Sequence, residues 1–476
     1  MADPTDLDAN ELAQAIRRLD VSCREVMLAH LARIDRLNPR VNAIVSLQDQ
    51  ARLVAQADER DAQLARGEYA GWMHGFPIAV KDLAATAGIR TTLGSPLLRN
   101  LVPVEDSIMV ARMKAAGAIV IGKTNTPEFG LGSQTYNQVF GATGNAYDAA
   151  KTSGGSSGGA ATAVALRMVP VADGSDMMGS LRNPAAFNNV YGLRPSFGRV
   201  PAGPTPEVFM QQLSTDGPMA RTMTDLALLL SIQAGRDTRA PLSIAEDGAR
   251  FAAPLERDFA GARVAWLGSL GGYLPFEPGI LELCRGALVS LAQIGCVVED
   301  VVPEFPYGHL WNAWCVLRQW LVGARLNELY RDPAKRESIK PEAIWEIENG
   351  LALKAIEVSE ASRVRSAWYH LMRELFETHE YLALPSAQVF PFDVAQHWPS
   401  QVAGRQMDTY HRWMEVVVPA SLAGCPVLNV PVGFNANGLP MGMQIIGRPH
   451  ADFAVLQLGF AHERATGWVK KRPPPL

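Results

Sequence analysis

The sequence predicts an α/β protein, because helices and short buried strands follow one another in three separate segments. Each strand is a short run of mostly apolar residues, and each helix is a longer stretch of small or amphipathic residues. Such an alternation is typical of the α/β class. The segments are a helix at 160–168 followed by a strand at 168–172, a helix at 107–116 followed by a strand at 118–121, and strands at 264–267 and 296–298 around a helix at 278–294.

The other elements follow along the chain. Residues 7–62 predict helices, one of which starts at a capping box, Ser22–Glu25, and ends at Asn38-Pro39. The apolar run from Phe76 to Val80 predicts a strand that ends in Lys81. Further downstream we expect a loop at 199–213, a helix at 222–233, mostly helices over 305–380, strands at 426–433 and 443–446 around a turn at Asn437-Gly438, and a last helix at 452–463.

Composition excludes several classes of protein. The 476 residues have room for two or three average domains or one large one, and 48% are apolar. A net charge of −4 without a basic run argues against partners such as nucleic acid or an anionic membrane. The acidic N-terminus and the lack of a long apolar run predict a cytoplasmic protein. Five scattered cysteines without CxxC spacing argue against a disulfide framework or structural zinc.

The segment Gly154–Gly159 (GGSSGG) contains two serines between four glycines. A flexible linker is one interpretation of this composition. However, the segment is only six residues long and leads directly into an apolar helix. A further serine, Ser180, lies in the loop predicted after the strand at 168–172. A buried helix and strand between the two loops would hold Ser156 and Ser180 in a fixed relation, as catalysis requires.

Lys81, at the end of a predicted strand, has two interpretations. A lysine here is most often a solvated charge at the strand end. Alternatively, partial burial lowers the pKa of the amine and leaves a neutral base. By itself the segment favours the first interpretation.

Gly117–Thr124 matches the phosphate-binding pattern G-x-x-x-x-G-K-[ST]. That motif requires its four variable residues in a loop, with a helix that starts at the lysine. Here those four residues predict a strand, and Thr124–Pro127 is unsuited to a helix. We therefore regard the match as accidental.

The sequence offers few sets of catalytic residues. Ser180 lacks the G-x-S-x-G pattern of a nucleophile elbow, which Gly154–Gly158 matches by letter around Ser156, and the nine histidines lack metal-ligand spacing. Two serines in glycine-rich loops and Lys81 remain. A neutral lysine could activate a serine directly or through a second hydroxyl, and amides of the loop 176–180 could stabilise an oxyanion.

Several motifs together resemble the amidase signature family of serine hydrolases. The resemblance extends over roughly 10–465 and is strongest over 71–200. The matching segments are Gly75–Pro77 with Val80–Asp82, Gly122–Phe129, Gly154–Gly159, Asp176 with Gly179–Ala185, Gly192–Pro195 and Gly438–Gln444.

The resemblance implies a Ser–cis-Ser–Lys triad. Ser180 matches the nucleophile, Ser156 the bridging serine on a cis peptide, and Lys81 the general base. The resemblance implies supporting roles for Asp176, Arg182 and Ser157. It also implies an oxyanion hole formed by the backbone amides of Met177, Met178, Gly179 and Ser180.

The nucleophile loop departs from the family pattern. The family commonly has Gly-Gly-Ser at the nucleophile, whereas this chain has Met178-Gly179-Ser180, preceded by Met177. A methionine resists positive φ and adds apolar bulk. We therefore expect a tighter or more apolar acyl pocket.

The family fold implies one large α/β/α domain, 1–476, with a central mixed sheet covered by helices. We expect its parts to be N-terminal helices at 1–65, a core with the triad at 66–235, a variable helical region at 236–410 and closing elements at 411–476. Seven of the ten tryptophans lie between Trp311 and Trp413. Most are expected in the core; the candidates for the substrate pocket are Trp311, Trp314, Trp398 and Trp413.

The resemblance implies hydrolysis of non-peptide carboxylic amides without a cofactor or metal, on a small-molecule substrate. Apolar or aromatic amides are the first choice, with esters and carbamates as further candidates, and the protein is expected to be a monomer or homodimer. The alternative is the glutaminase subunit of a tRNA-dependent amidotransferase, which works with partner proteins. Two other hypotheses, nucleotide binding at Gly117–Thr124 and an inactive scaffold, agree less well with the motifs.

Overall fold

An eight-stranded mixed sheet lies at the centre of this computed structural model, which describes residues 3–475. The order of its strands does not follow the chain, so segments far apart in sequence become neighbours. Within the described residues the strands are β1 (Ile44–Val45), β2 (Pro77–Lys81), β3 (Ile119–Thr124), β4 (Tyr136–Asn137), β5 (Gly141–Ala142), β6 (Ala172–Asp176), β7 (Tyr191–Arg194), β8 (Thr215–Ala220), β9 (Arg263–Trp266), β10 (Val297–Asp300), β11 (Tyr381–Pro385), β12 (Gln401–Val402), β13 (Arg405–Gln406), β14 (Val427–Phe434) and β15 (Pro440–Gly447).

The central sheet has the order β10-β9-β11-β15-β14-β7-β8-β6. Strands β9, β10 and β11 are parallel, and the remaining pairs are antiparallel. Strands β14 and β15 form the hairpin expected around Asn437-Gly438, and Gly438 adopts a φ of +77° there. The prediction of a mixed sheet is confirmed.

Helices cover the sheet. Within residues 3–475 they are α1 (Ala9–Arg17), α2 (Cys23–Val41), α3 (Gln50–Ala65), α4 (Ile108–Ala115), α5 (Gly158–Ala165), α6 (Arg182–Phe187), α7 (Met223–Gln233), α8 (Ile280–Gln293), α9 (Tyr307–Arg331), α10 (Pro333–Arg336), α11 (Pro341–Ala352), α12 (Ala355–Thr378), α13 (Val418–Leu422), α14 (Asp452–Thr466) and α15 (Trp468–Lys471). Short 3-10 helices lie at Pro4–Asp6, Pro96–Leu98, Glu128–Gly130, Gly248–Ala252 and Arg412–Val417.

Most of the predicted elements are present. The capping box of Ser22 and Glu25 starts α2, and α8 connects the parallel strands β9 and β10. A large connected apolar core extends through the sheet and most of its helices, in agreement with a single large domain, and a smaller apolar cluster lies between α9 and α11. Among the helices of residues 3–475, none has the length and apolar character needed to cross a membrane.

Two predicted boundaries are wrong. Helix α2 continues through Pro39 to Val41 and ends at Asn42, which has a left-handed φ of 50°. The strand expected at 168–172 is instead β6, at Ala172–Asp176, because its backbone pairs with β8. The loop after this strand is therefore short, and it starts only at Met177.

A second, three-stranded sheet holds the lysine strand. It has the order β1-β3-β2, and β2 pairs with β3 in parallel, with Lys81 opposite Thr124. The Lys81 backbone N–H donates to both carboxylate oxygens of Asp173, at 3.2 Å each. Asp173 lies on β6, so this contact joins the small sheet to the central one.

Candidate active site

The Lys81 amine lies buried among three serine side chains. The residue is only 1% exposed. Its Nζ is 2.8 Å from Oγ of Ser156, 2.8 Å from Oγ of Ser157 and 3.0 Å from Oγ of Ser175. The interpretation of Lys81 as a solvated strand end is therefore wrong. The structure brings together three residues singled out from the sequence, Lys81, Ser156 and Ser157.

Burial and the nearby carboxyl groups shift the pKa of the Lys81 amine in opposite directions. Burial lowers the pKa of its amine to about 7, although the carboxyl groups of Asp216, Asp173 and Asp176 oppose this shift. Burial also raises the pKa of Asp173 to about 6. The pKa of the Lys81 amine is therefore well below that of an ordinary lysine, which is the direction of shift that favours a neutral amine.

Asp216 is a site residue that the sequence reasoning missed. It lies opposite Ser175 in the antiparallel pair of β6 and β8, so both side chains project from the same face of the sheet. Ser175 contacts the Lys81 amine on that face. Burial and then the charge of Asp173 raise the pKa of Asp216 to about 7, against the effect of Lys81. Asp216 thus places a third carboxyl group near the amine.

The segment Gly154–Gly159 is a buried turn before α5. All six residues are buried, so the flexible-linker interpretation is wrong. The peptide bond between Gly155 and Ser156 is cis. A Cβ atom on Gly155 would approach the backbone nitrogen of Gln134 to 2.9 Å, which explains the need for glycine beside this serine.

Ser180 lies in the short loop between β6 and α6. The preceding Gly179 has a φ of +80°, and a Cβ atom there would come within 3.0 Å of Val417. The Asp176 carboxylate accepts hydrogen bonds from the amides of Gly179 (2.9 Å) and Leu181 (3.0 Å). These bonds clamp the backbone on both sides of Ser180.

Two arginines bind the Asp176 carboxylate that holds this loop. Arg182 donates to both Asp176 oxygens, and Arg194 forms a further ion pair with the same carboxylate. Burial alone would raise the pKa of Asp176, but the charges of both arginines hold it well below its usual range. Arg182 also donates to Gln444 (2.7 Å) and Ser421 (2.6 Å). Asp176 and Arg182 therefore hold the loop that carries Ser180 in place.

The oxyanion-hole prediction needs one correction. The Gly179 amide already donates to Asp176, so it is not a free donor. Among the described residues, the amides of Met177, Met178 and Ser180 have no protein acceptor. Three of the four predicted amides thus remain available for an oxyanion.

The Ser180 hydroxyl has no hydrogen bond to Ser156 or to any other residue within 3–475. The described chain therefore shows the contact from Lys81 to Ser156, and leaves the contact from Ser156 to Ser180 unformed. Catalytic hydrogen bonds are often long before substrate binds, so this geometry is compatible with a relay.

The two loop methionines differ in their surroundings. Met178 is packed in the apolar core, and its φ is not positive. Met177 is half-buried, and its Sδ accepts a contact of 3.4 Å from Nη1 of Arg318. The expectation of a tighter apolar acyl pocket remains a prediction, and the Arg318 contact adds a polar neighbour that it did not include.

A cavity of about 690 Å³ opens beside Lys81. Asp173, Ser175 and Asp216 line its inner end together with the lysine, and Trp320 and Leu321 of α9 line one wall. Residues of the loop after Arg199 also line the cavity. The cavity reaches the lysine, whereas Ser156 and Ser180 are not among the residues that line it.

The four tryptophans chosen from the sequence are not among the residues that line this cavity. Trp311, Trp314 and Trp413 are buried in the core, and Trp398 packs against that core while partly exposed. Trp320, which no sequence pattern singled out, lines the cavity instead. The sequence alone does not distinguish the tryptophans that line the cavity from those in the core. On α9 the packing of the helix decides this, since Trp320 lines the cavity and Trp314 lies in the core.

The phosphate-loop match at Gly117–Thr124 is accidental, as predicted. Ile119–Thr124 forms the buried strand β3. Lys123 is engaged by the carbonyl of Ala84 (2.6 Å) and the hydroxyl of Thr86 (2.8 Å). No loop of free amides exists at these residues to cradle a phosphate.

Comparison with known proteins agrees with this geometry. The family model described as Amidase matches residues 25–456. The chain belongs to the Amidase family. Its fold is that of the solved amidase signature enzymes: a bacterial aryl acylamidase of that family superposes with a TM-score of 0.91 at 29% identity, over 97% of this chain and 96% of that one.

Relatives with two kinds of activity are about equally similar in sequence. An acylamidase of Rhodococcus erythropolis is 32% identical over 98% of this amidase-family chain and 97% of its own length. A glutamyl-tRNA(Gln) amidotransferase subunit of Methylococcus capsulatus is also 32% identical, over 97% and 98%. The solved glutamyl-tRNA(Gln) amidotransferase subunit from Thermotoga maritima gives a TM-score of 0.79 at 28% identity, over 98% of this chain and 96% of that one.

Proposed function

We propose that this amidase-family enzyme is a stand-alone hydrolase of apolar or aromatic carboxylic amides, which acts through an acyl-enzyme on Ser180. The observation that carries the proposal is the buried Lys81 amine, 2.8 Å from the Ser156 hydroxyl, in a chain whose Ser180 lies on a clamped loop with free amides. A buried amine with a pKa of about 7 is suited to a general base.

The proton moves along the two hydroxyls. Oγ of Ser180 attacks the carbonyl carbon while its proton passes to Ser156, and the proton of Ser156 passes to Nζ of Lys81. The amides of Met177, Met178 and Ser180 stabilise the oxyanion. When the C–N bond breaks, Ser156 protonates the departing amine and recovers a proton from Lys81. Water then uses the same relay to hydrolyse the ester on Ser180.

Substrate binding completes this relay. Ser180 lies on a loop whose backbone is fixed on both sides, so only its side chain has to rotate toward Ser156. Ser157 and Ser175 hold the Lys81 amine in place during this step. They position the base and do not touch the reacting atoms.

The second candidate is the glutaminase subunit of a tRNA-dependent amidotransferase. Such a subunit is as similar to this chain in sequence as the acylamidase is, which supports this second candidate. The fold comparison favours the first candidate, since the aryl acylamidase superposes more closely than the Thermotoga maritima amidotransferase subunit. The two differ in substrate: free glutamine for the second, and amides without a charged amino acid for the first.

A matched substrate panel tests the proposal. It contains one aryl leaving group joined through acetamide, longer acyl amide, ester and carbamate linkages, with primary amides and glutamine alongside. We expect aryl amides to be cleaved, and esters more readily because their leaving group is better. If only glutamine reacts, or activity requires added partner proteins, the amidotransferase function replaces the proposed one.

The pH profile should report on Lys81 and Asp216. We expect kcat/KM to rise as pH increases through about 7, because the amine is a base only after losing its proton. The Asp216→Asn substitution removes a carboxylate that favours the protonated amine. The rising limb should therefore move to lower pH. Steady-state kinetics with one anilide from pH 5 to 10 would measure this.

Glu328→Gln is a matched control for that profile. Glu328 lies at the outer part of the same cavity, is exposed, and is not among the groups that shift the Lys81 pKa. In this variant kcat/KM should rise at the same pH as in the wild type. A limb that stays in place or moves to higher pH in Asp216→Asn would show that the Asp216 carboxylate does not favour the protonated amine.

A further inference from the structure

The cavity beside Lys81 reaches the proposed base and leaves out both serines of the relay. Neither Ser156 nor Ser180 is among the residues that line it. Its volume of about 690 Å³ falls within the roughly 300–1,000 Å³ that is typical of sites for small molecules. The cavity therefore has room for a molecule other than the amide that is cleaved.

Four carboxyl groups line this cavity, and they differ in what they bind. Both oxygens of Asp173 accept the Lys81 backbone N–H. The Glu207 carboxylate accepts three amides of its own loop, at 2.7 to 3.1 Å. Glu328 is exposed to solvent. Within residues 3–475, the Asp216 carboxylate accepts no hydrogen bond, so it is the carboxyl group beside Lys81 that is free to bind a ligand.

The Asp216 carboxylate also lacks a permanent counter-charge. Two arginines bind Asp176, and the charge of Lys123 opposes the effect of burial on the pKa of Asp173. Burial and then Asp173 raise the pKa of Asp216, and within the described chain Lys81 is the only cation that opposes this shift. Lys81 must lose its charge to act as a base, and Asp216 then has no positive neighbour.

Apolar side chains form much of the cavity wall. On α9, the indole of Trp320 and the side chain of Leu321 line the cavity, and both are partly exposed. The loop after Arg199 contributes three prolines, Pro201, Pro204 and Pro206. A bound molecule would remove this apolar surface from water, which favours binding. The lining therefore suits an apolar body with one positively charged end.

Two further charged residues of α9 line the cavity, and their charges are opposite. Arg325 donates to the carbonyl of Phe129 at 3.1 Å, and Glu328 lies three residues further along the helix. Their effects on a charge at Asp216 largely offset each other. The unpaired carboxylate at Asp216 thus determines which charge the cavity favours.

We propose that this cavity binds a small organic cation, an aryl- or alkylamine in its ammonium form. The ammonium donates to the Asp216 carboxylate, and the apolar body lies against Trp320. Such charge-assisted hydrogen bonds are strong where water is partly excluded. The bound molecule is an effector and not the amide that is cleaved, because the cavity leaves out Ser156 and Ser180.

The bound cation also acts on the base. Three carboxyl groups favour the charged form of the Lys81 amine, those of Asp216, Asp173 and Asp176. A positive charge at Asp216 opposes them, because it disfavours a second positive charge nearby. The rise of kcat/KM with pH should therefore move to lower pH by about one unit when the ligand is bound. This effect rests on the proposed function of Lys81, whereas the binding itself does not.

Three compounds of nearly equal size test the site by calorimetric titration at about pH 8. The compound 2-phenylethylammonium carries the positive charge, 2-phenylethanol lacks it, and 3-phenylpropionate carries a negative one. We expect the ammonium to bind at least about tenfold more tightly than the alcohol, because only the ammonium pairs with the charge of Asp216. The carboxylate should bind most weakly, because Asp216 repels it.

Three variants locate the ligand. Asp216→Asn keeps the shape of the side chain and removes its charge, so the ammonium should bind about as weakly as the alcohol. Trp320→Ala should weaken the binding of ammonium and alcohol alike by about tenfold, since both lose the same apolar contact. Glu328→Gln is the matched control: it removes an exposed carboxylate from the outer part of the same cavity and should keep the affinity within about twofold.

The pH profile of anilide hydrolysis tests the effect on Lys81. With 2-phenylethylammonium at saturation, the rise of kcat/KM should move to lower pH in the wild type and in Glu328→Gln. In Asp216→Asn the same addition should leave the rise where it is. A rise that stays in place in the wild type would overturn the effector role.

The titrations also separate this inference from the proposed function. Selective binding of the ammonium without hydrolysis of any compound in the substrate panel would support the cation site and contradict the amidase proposal. Equal binding of ammonium and alcohol, or unchanged affinity in Asp216→Asn, would overturn the site. So would inhibition that is strictly competitive with the anilide, because it would place the amine at Ser180.

Discussion

Ser180→Ala should lower kcat for aryl amides by at least about a thousandfold, because no other group then forms the acyl bond. The backbone around residue 180 is fixed by Asp176, so the alanine variant should keep its fold and its melting temperature within a few degrees. Substrate should still bind, which makes the loss one of kcat and not of KM. Steady-state kinetics and a thermal melt measure both expectations.

Trapping the intermediate makes this prediction specific. Acid quench of the wild type during turnover should show a mass increase equal to the acyl group on the peptide that carries Ser180. Ser156→Ala removes the relay hydroxyl that lies 2.8 Å from the Lys81 amine, so it should slow acylation while the acyl group still attaches to Ser180. An adduct on Ser156, or substantial activity in Ser180→Ala, would mean that the nucleophile is assigned to the wrong serine.

The sequence was sufficient to predict the parts of the site that are local in the chain. A lysine at the end of an apolar strand and a serine between glycines can be found in single segments, and so can the apolar helix that follows this serine. The motifs also single out Ser180, although the apolar pattern predicts the strand before it too early in the chain. Strand β6 begins at Ala172 because its backbone pairs with Thr215–Ala220, and no pattern within 168–176 contains that information.

Contacts between distant segments account for what was missed. Asp216 approaches Lys81 only because β8 pairs with β6 and places it opposite Ser175. The Gly179 amide looked like a free donor, but Asp176 accepts from it across a tight turn. Tryptophan content suggested an aromatic pocket, whereas the packing of α9 turns Trp320 toward the cavity and Trp314 toward a buried arginine. Side-chain direction of this kind depends on tertiary packing.

Lys81→Ala should lower kcat/KM by about a hundredfold to ten-thousandfold, the usual contribution of general acid–base catalysis. The rise in activity through about pH 7 should disappear with the amine that produces it. Removing a buried lysine could also disturb the packing between the two sheets, so a control is needed. Lys123→Met removes the neighbouring buried lysine, whose amine contacts Ala84 and Thr86, and should keep the rising limb.

Lys81→Arg distinguishes a base from a fixed positive charge. A guanidinium stays protonated at every pH at which the enzyme can be assayed, so arginine keeps the charge and cannot accept a proton. If Lys81 is the base for Ser156, the arginine variant should be about as inactive as the alanine variant. If the lysine serves only to balance Asp173, Asp176 and Asp216, arginine should restore most of the activity. The carboxyl groups near this amine make the second outcome a real alternative, because they favour its charged form. The opposing effect of burial, which brings the pKa to about 7, is the reason to expect the first.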